Sequence, residues 1–272
     1  MKLIHRLPLF AAACLTLLSP GFVNAQIVNS TVNATDNIYA SGSQSDLVNN
    51  CVAIGYCGAG GQGTLPGYVS LAPGATYVTV SATGTISLDG NDQQFNDPDG
   101  YYNGVPAYSL PAPNYTSSNG GLDSISGITA PGAGYLVGLF VGPSGPTGTA
   151  PASLDYSAAG SESDTSYSPL LDQVFFIGDG LTGDGSGTTQ EFIIPTGATK
   201  LYLGISDACF FQGAPSCYQG NDGSYNAVTD VVTPGTNNPP PSATPEPSSL
   251  MLLGTGLLGA TGMLRRRMSS SR

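Results

Sequence analysis

No stretch of this 272-residue chain between its two ends carries an apolar stripe at helical spacing for even three turns, and 38 glycines and 21 prolines interrupt it at short intervals. A helix needs such a stripe to bury one face, so helical folds are excluded for the central region. What recurs is short runs of β-branched and aromatic residues bounded by turn formers: Ile27–Val32, Tyr77–Val80, Thr85–Leu88, Tyr135–Val141, Val174–Ile177, Glu191–Ile194, Leu201–Ile205 and Tyr225–Val232. Eight such runs predict an all-β domain, an antiparallel β-sandwich of jelly-roll type. In the run Lys200 to Ile205, alternation puts Leu201, Leu203 and Ile205 on one side of a strand. Residues 90–134 and 143–169 are polar and rich in Gly and Pro, and they predict long loops.

The two ends differ from the middle. Lys2 and Arg6 precede an apolar run from Leu7 to Leu18, and Val23-Asn24-Ala25 offers a small-residue cleavage site, so residues 1–25 predict a signal peptide for the Sec translocon. At the other end, Pro245-Glu246-Pro247 is followed by 17 uncharged residues, 248–264, and then by Arg265, Arg266 and Arg267. That length is at the short limit for a membrane helix, and the arginines would keep the C-terminus in the cytoplasm. A Pro-Glu-Pro box, a short Gly/Leu-rich helix and an Arg cluster, in that order, resemble the PEP-CTERM sorting signal. The resemblance implies that an exosortase-type transpeptidase recognises residues 245–272 and passes the chain from an inner-membrane intermediate to the envelope, the outer surface or the medium. Residues 233–244, TPGTNNPPPSAT, predict an extended spacer, which leaves 26–232 as the folded domain.

Charge narrows the chemistry of that domain. Between Gln26 and Thr244 there is one cation, Lys200, against 17 carboxylates, a net charge of −16, with no arginine and no histidine. Counterion release from nucleic-acid phosphates needs a cationic surface, and an anion clamp needs arginine, so nucleic acid is excluded as a partner. Without histidine there is no Ser-His-Asp or Cys-His catalysis and no His-ligated zinc. Four cysteines fall into two close pairs, Cys51 with Cys57 and Cys209 with Cys217, which in an exported chain predict two local disulfides.

Acidic and amide groups remain as the reactive side chains. A strand ending at Ser206-Asp207 and a chain that re-enters a strand through Gly220-Asn221-Asp222-Gly223 put Asp207 and the Asn221/Asp222 pair at the same end of two strands. Hard oxygen donors of this kind suit Ca²⁺, though Asn-Asp-Gly is also an ordinary turn and Asp207 an ordinary strand-end cap. Asp97-Pro98-Asp99-Gly100 lacks the third acidic position and the closing Glu of an EF-hand loop and predicts a turn.

The sequence strand, Asp, loop, Tyr, Asn/Asp pair, Gly-Ser-aromatic, strand resembles the C-terminal half of PA-IL-type lectins, calcium-dependent galactose-binding proteins with a galactose-binding-like sandwich. Pro73 to Val80 with Gly84, Gly134 to Gly142 and Ile194 to Ala198 resemble further parts of that family. The resemblance implies Asp207 as the carboxylate on metal and sugar, Leu88 and Cys217 as backbone-carbonyl ligands, and Asn221 with either Gly220 or Asp222 as the side-chain pair. It departs at the family's His-Pro sugar contact, which this domain lacks. The expected function is a non-catalytic envelope or extracellular-matrix binding module, Ca²⁺-stabilised, with carbohydrate or extracellular polysaccharide as ligand. A structural or adhesive surface protein is the alternative, and a glycoside hydrolase working through two carboxylates ranks third.

Overall fold

The computed structural model describes residues 24–42, 61–88, 95–102, 105–106, 116–119 and 124–234. The first strands are β1 (Asn24–Asn33), β2 (Tyr68–Ser70), β3 (Tyr77–Ser87), β4 (Tyr101–Tyr102), β5 (Val105–Pro106) and β6 (Thr116–Asn119). Then come β7 (Ile128–Pro131), β8 (Leu136–Val141), β9 (Leu154–Asp155), β10 (Ser166–Tyr167), β11 (Val174–Phe176) and β12 (Leu181–Gly183). The chain closes with β13 (Ser186–Thr189), β14 (Glu191–Ile193), β15 (Lys200–Ile205), β16 (Gln212–Gly213) and β17 (Asp222–Thr233).

Two sheets form the body. One has the order β1-β17-β3-β14-β10 and the other β11-β8-β15-β2, with all pairings antiparallel except β10 with β14. Val78, Val80, Ile86, Phe192, Tyr225 and Val231 of the first sheet meet Val69, Leu136, Phe140, Phe175, Leu201 and Ile205 of the second in one core. Alternation explains the faces: along β17 the exposed Asn226 and Val228 separate the buried Tyr225, Ala227 and Thr229. The expected side sharing in β15 holds, with Leu201, Leu203 and Ile205 all in that core.

The second sheet departs from simple alternation because both of its faces are covered. All six residues of β8 are buried, and Val137, Leu139 and Val141 pack with Tyr39, Ile128, Tyr135 and Tyr156 in a second apolar cluster. This outer layer comes partly from the segments expected to be loops: β7 and β9 lie in a small sheet of order β16-β6-β7-β9. Their strands are only two to four residues long, too short for a period to announce them.

The expected runs 77–80 and 85–88 are one strand. Gly84 does not break β3. It pairs with Tyr225 at φ +114°, where a Cβ would lie 2.5 Å from the Ser224 carbonyl oxygen, so the ladder passes through a position only glycine fills. At the ends of the same sheet, β1 begins at Asn24 and β17 runs to Thr233, and these two residues pair. Ladder pairing thus extends past both expected limits of the domain, 26 and 232. Among the described residues no helix is long and apolar enough to cross a membrane. The expected signal-peptide core, the membrane segment 248–264 and Arg265 to Arg267 lie outside the described residues.

Tyr225 ties the sandwich to the loops at its edge. Its buried hydroxyl is 2.7 Å from the Asp97 carbonyl oxygen, 3.0 Å from that of Gly134 and 3.2 Å from that of Asn96. Replacing Tyr225 with Phe leaves these buried carbonyls short of a donor and should cost about 1–3 kcal/mol, measured as a shift of the urea midpoint at unchanged slope.

Candidate functional site

β15 ends at Ile205, and the next two residues enter a buried polar cluster. The Tyr218 hydroxyl donates to the Ile205 carbonyl at 3.0 Å and accepts the Asp207 N–H at 3.1 Å, while Ser206 shares a 2.7 Å hydrogen bond with the Tyr39 hydroxyl. Asp207 is 3% exposed. Its Oδ1 accepts the Ala208 N–H at 2.7 Å and its Oδ2 accepts Asn221 Nδ2 at 2.9 Å. Asn221 Nδ2 also donates to the Ala34 carbonyl at 3.0 Å, whereas Asn221 Oδ1 is buried with no hydrogen-bond partner. Burial pushes the Asp207 carboxyl up to about 7, with the donors from Asn221 and Ala208 pulling the other way.

Asp207 and Asn221 therefore meet, as their places at neighbouring strand ends predict. Of the other expected ligands, Asp222 does not join them. Asp222 is exposed and its Oδ1 accepts the N–H of Gly223 at 2.7 Å, the arrangement of an ordinary turn. Leu88 follows the last residue of β3, Ser87, which pairs with Asp222. Cys217 has left-handed backbone geometry at φ 71° and is bonded to Cys209, with Cα atoms 5.1 Å apart. That disulfide is one of the two expected, and Cys51 and Cys57 lie outside the described residues. Ser216 braces the loop from inside: its N–H donates to the Asp207 carbonyl at 3.2 Å and its Oγ accepts the Cys209 N–H at 3.1 Å. Tyr39 and Tyr218, which hydrogen-bond to Ser206 and Asp207, carry no mark in the sequence beyond being tyrosines.

A second acidic region lies along the edge of β3. Ala82 N–H donates to the Asp179 carbonyl at 3.0 Å, and Ile86 and Asn96 exchange backbone hydrogen bonds of 3.0 and 2.7 Å. One strand edge thereby receives two turns, Asp97-Pro98-Asp99-Gly100 and Asp179-Gly180. The first is a turn, as expected: Asp97 Oδ1 accepts the Tyr101 N–H at 2.8 Å and Gly100 N–H donates to the Asp97 carbonyl at 2.9 Å. Asp179 uses both oxygens within its own loop, accepting from Leu181 N and Gly185 N at 2.8 Å each. Asp99 Oδ1 accepts the Asp179 N–H at 3.1 Å. Burial, with the Asp179 carboxylate adding to it, pushes Asp99 up to about 8. A cavity of about 370 Å³ opens between Asp97, Asp99, Asp179, Asp184, Ser81 and Thr83. The one legible signal for this region is the recurrence of Asp-Gly, at 99–100, 179–180 and 184–185, each pair a turn former that also brings a carboxylate.

Among the described residues no three Asp, Glu, Cys or His side chains already stand as a metal cage. No curated protein and no solved structure matches the chain. Residues 243–267 match the PEP-CTERM protein-sorting motif. By that match the chain is an exported surface protein that an exosortase recognises and that is anchored transiently in the membrane.

Proposed function

We propose that the domain is a non-catalytic binding module of the cell envelope or extracellular matrix, holding Ca²⁺ at the Asp207 end of the sandwich and taking carbohydrate or matrix polysaccharide as its ligand. The observation that carries this reading is the pairing of a fully desolvated carboxylate, Asp207, with a buried and unpartnered amide oxygen, Asn221 Oδ1. Two hard oxygens that lack full compensation fit a Ca²⁺ ion, and the backbone carbonyls of Leu88 and Cys217 are the further donors the lectin resemblance implies. Bound there, the ion would supply fixed positive charge to a domain with one cation of its own and a hard centre to which vicinal sugar hydroxyls can coordinate. Asp207 would then be the residue shared by ion and sugar, with Asn221 Oδ1 as its neighbouring donor.

The test is the melting temperature of the full chain in detergent, in chelator against CaCl₂. At a hundredfold excess over Kd, Ca²⁺ should add about 2.7 kcal/mol of stability, and Asp207→Ala should abolish the increment. A glycan array should then give hits in Ca²⁺ that vanish in chelator. The structural or adhesive reading has its own support, since both Asp207 oxygens already accept hydrogen bonds. It prevails if Ca²⁺ shifts neither the wild type nor the array.

A further inference from the structure

The open cavity at the β3 edge has the make-up of a ligand site. Its volume of about 370 Å³ falls within the range of small-molecule pockets, roughly 300–1,000 Å³, which combine apolar walls with a few convergent polar groups. Ala82, Pro98 and Leu181 supply apolar wall, and Ser81 and Thr83, both exposed on β3, bring hydroxyls to it. Asp99 lines the same cavity and is more than nine-tenths buried, at 8% exposure. Its Oδ1 is held by the Asp179 N–H at 3.1 Å, whereas its Oδ2 is buried with no hydrogen-bond partner.

We propose that this cavity binds a primary ammonium group carried on a sugar ring, the free amine of a hexosamine unit in an extracellular polysaccharide, with the Asp99 carboxylate as its counter-ion and Ser81 and Thr83 for the ring hydroxyls.

Charge selects the ammonium. Asp179, Asp97 and Asp184 act on Asp99 through space, Glu162 shares a neighbouring recess with it, and Tyr101 and Tyr225 complete its titratable surroundings. The domain's single cation, Lys200, lies on the other sheet, its Nζ 4.9 Å from the centre of the Tyr68 ring. A bare metal ion needs several ligands at once, and among the described residues no three Asp, Glu, Cys or His side chains are grouped to hold one. An ammonium has no such requirement. It arrives with three N–H donors and needs one unpartnered carboxylate, while the other acidic groups attract it at longer range. The wall selects the carrier. No aromatic side chain among the described residues lines the cavity, so a neutral sugar finds no ring to stack on and the amine has to supply the attraction. A sugar ring also offers what the wall can use, a C–H face for Pro98 and Leu181 and hydroxyls for Ser81 and Thr83, and an exported surface protein meets polysaccharide. The site needs no metal and does not rest on the reading of Asp207.

Asp99, pushed up to about 8 by burial and then by Asp179 and its acidic neighbours, holds a proton at neutral pH and gives it up to an ammonium. Binding should therefore release a proton, and it should tighten by up to about tenfold from pH 6 to 7, as the ionised fraction of Asp99 rises. Titration calorimetry of the full chain in detergent and chelator, with an oligomer of glucosamine against the same oligomer fully N-acetylated, tests this. The amine form should bind with a heat that differs between buffers of different ionisation enthalpy, and N-acetylation should weaken binding about tenfold or more. Asp99→Asn, which keeps an acceptor for the Asp179 N–H, should weaken it as much and remove most of the proton release, and Asp184→Asn, a change at an exposed side chain, should weaken it less. Asp207→Asn should leave binding unchanged, and spermidine, an amine without a ring, should bind more weakly than the oligomer. Wild-type protein that does not bind the amine oligomer, an acetylated oligomer or spermidine that binds as tightly, or binding and proton release that survive in Asp99→Asn, overturns the proposal.

Discussion

In chelator, raising the pH from about 5 to about 8 should lower the melting temperature of this protein, the reverse of ordinary acid denaturation. Most proteins gain stability as their carboxylates ionise, because native pairing lowers those pKa values. Here the sign is inverted. Asp99 is pushed up to about 8 and Asp207 to about 7, from an ordinary value of 3.8, in both cases first of all by burial, and Asp36, Asp97, Asp172 and Asp179 move in the same direction for the same reason. A group whose folded pKa is raised contributes stability that is complete below its unfolded pKa and is lost as pH rises through its folded pKa. For Asp99 and Asp207 that window runs from the ordinary value of 3.8 to about 8 and about 7, and the loss at each is on the order of a few kcal/mol. Asp155, lowered by its hydrogen bonds to Ser157, opposes the trend only in the acid range. Calorimetry of the full chain at several pH values checks this. Asp99→Asn, which cannot ionise, should flatten the slope, and a melting temperature that climbs steadily from pH 5 to 8 in chelator would refute the account.

Gly180→Ala should be among the most damaging single substitutions in the domain. Gly180 has φ +85°, where an L residue is strained, and a Cβ there would run into the carbonyl oxygen of Val80. The neighbour is backbone inside β3, paired there with Thr229 of β17, so it has no rotamer with which to yield. The turn would have to lift off β3, breaking the hydrogen bond from Ala82 N to the Asp179 carbonyl and that from Gln190 N to the Gly180 carbonyl, at 3.0 and 2.9 Å. Strain and two buried backbone hydrogen bonds together should cost about 3 kcal/mol or more. Urea denaturation measures it, with Gly185→Ala as the control, because Gly185 also has positive φ, +62°, but has nothing within 4 Å of its would-be Cβ. If the two variants lose the same stability, the close approach to Val80 is not the cause.

Much of the fold was legible residue by residue. The alternation of Leu201, Leu203 and Ile205 placed the inner face of β15 because a strand's period is two whatever surrounds it. The sequence could not say that Val137, Leu139 and Val141 would also be covered, since a continuous apolar run becomes a doubly buried strand only when something packs on its outer side. Nor could it join 77–80 to 85–88 across Gly84, a residue that punctuates most strands and here serves the approach to Ser224. For the site, Asp207 and Asn221 were legible because each lies next to a strand end, where chain order and strand direction determine which loops meet. Asp222, adjacent in sequence and equally good as a donor, faces out because its carboxylate caps its own turn.

The amino-acid sequence by itself determined the class of fold, the destination and the poverty of cations. Each of these is a local or additive property: strand alternation, a sorting motif at 243–267, and a count of one lysine against 17 carboxylates between Gln26 and Thr244. Only the tertiary structure decided which of those carboxylates face one another. Asp99 and Asp179 are 80 residues apart, and they meet because the turns that carry them hydrogen-bond to the same edge of β3. Strand edges are claimed through backbone groups that every residue possesses, so the choice of which turn docks where leaves no trace in residue type, although it sets where the domain's uncompensated charge is concentrated.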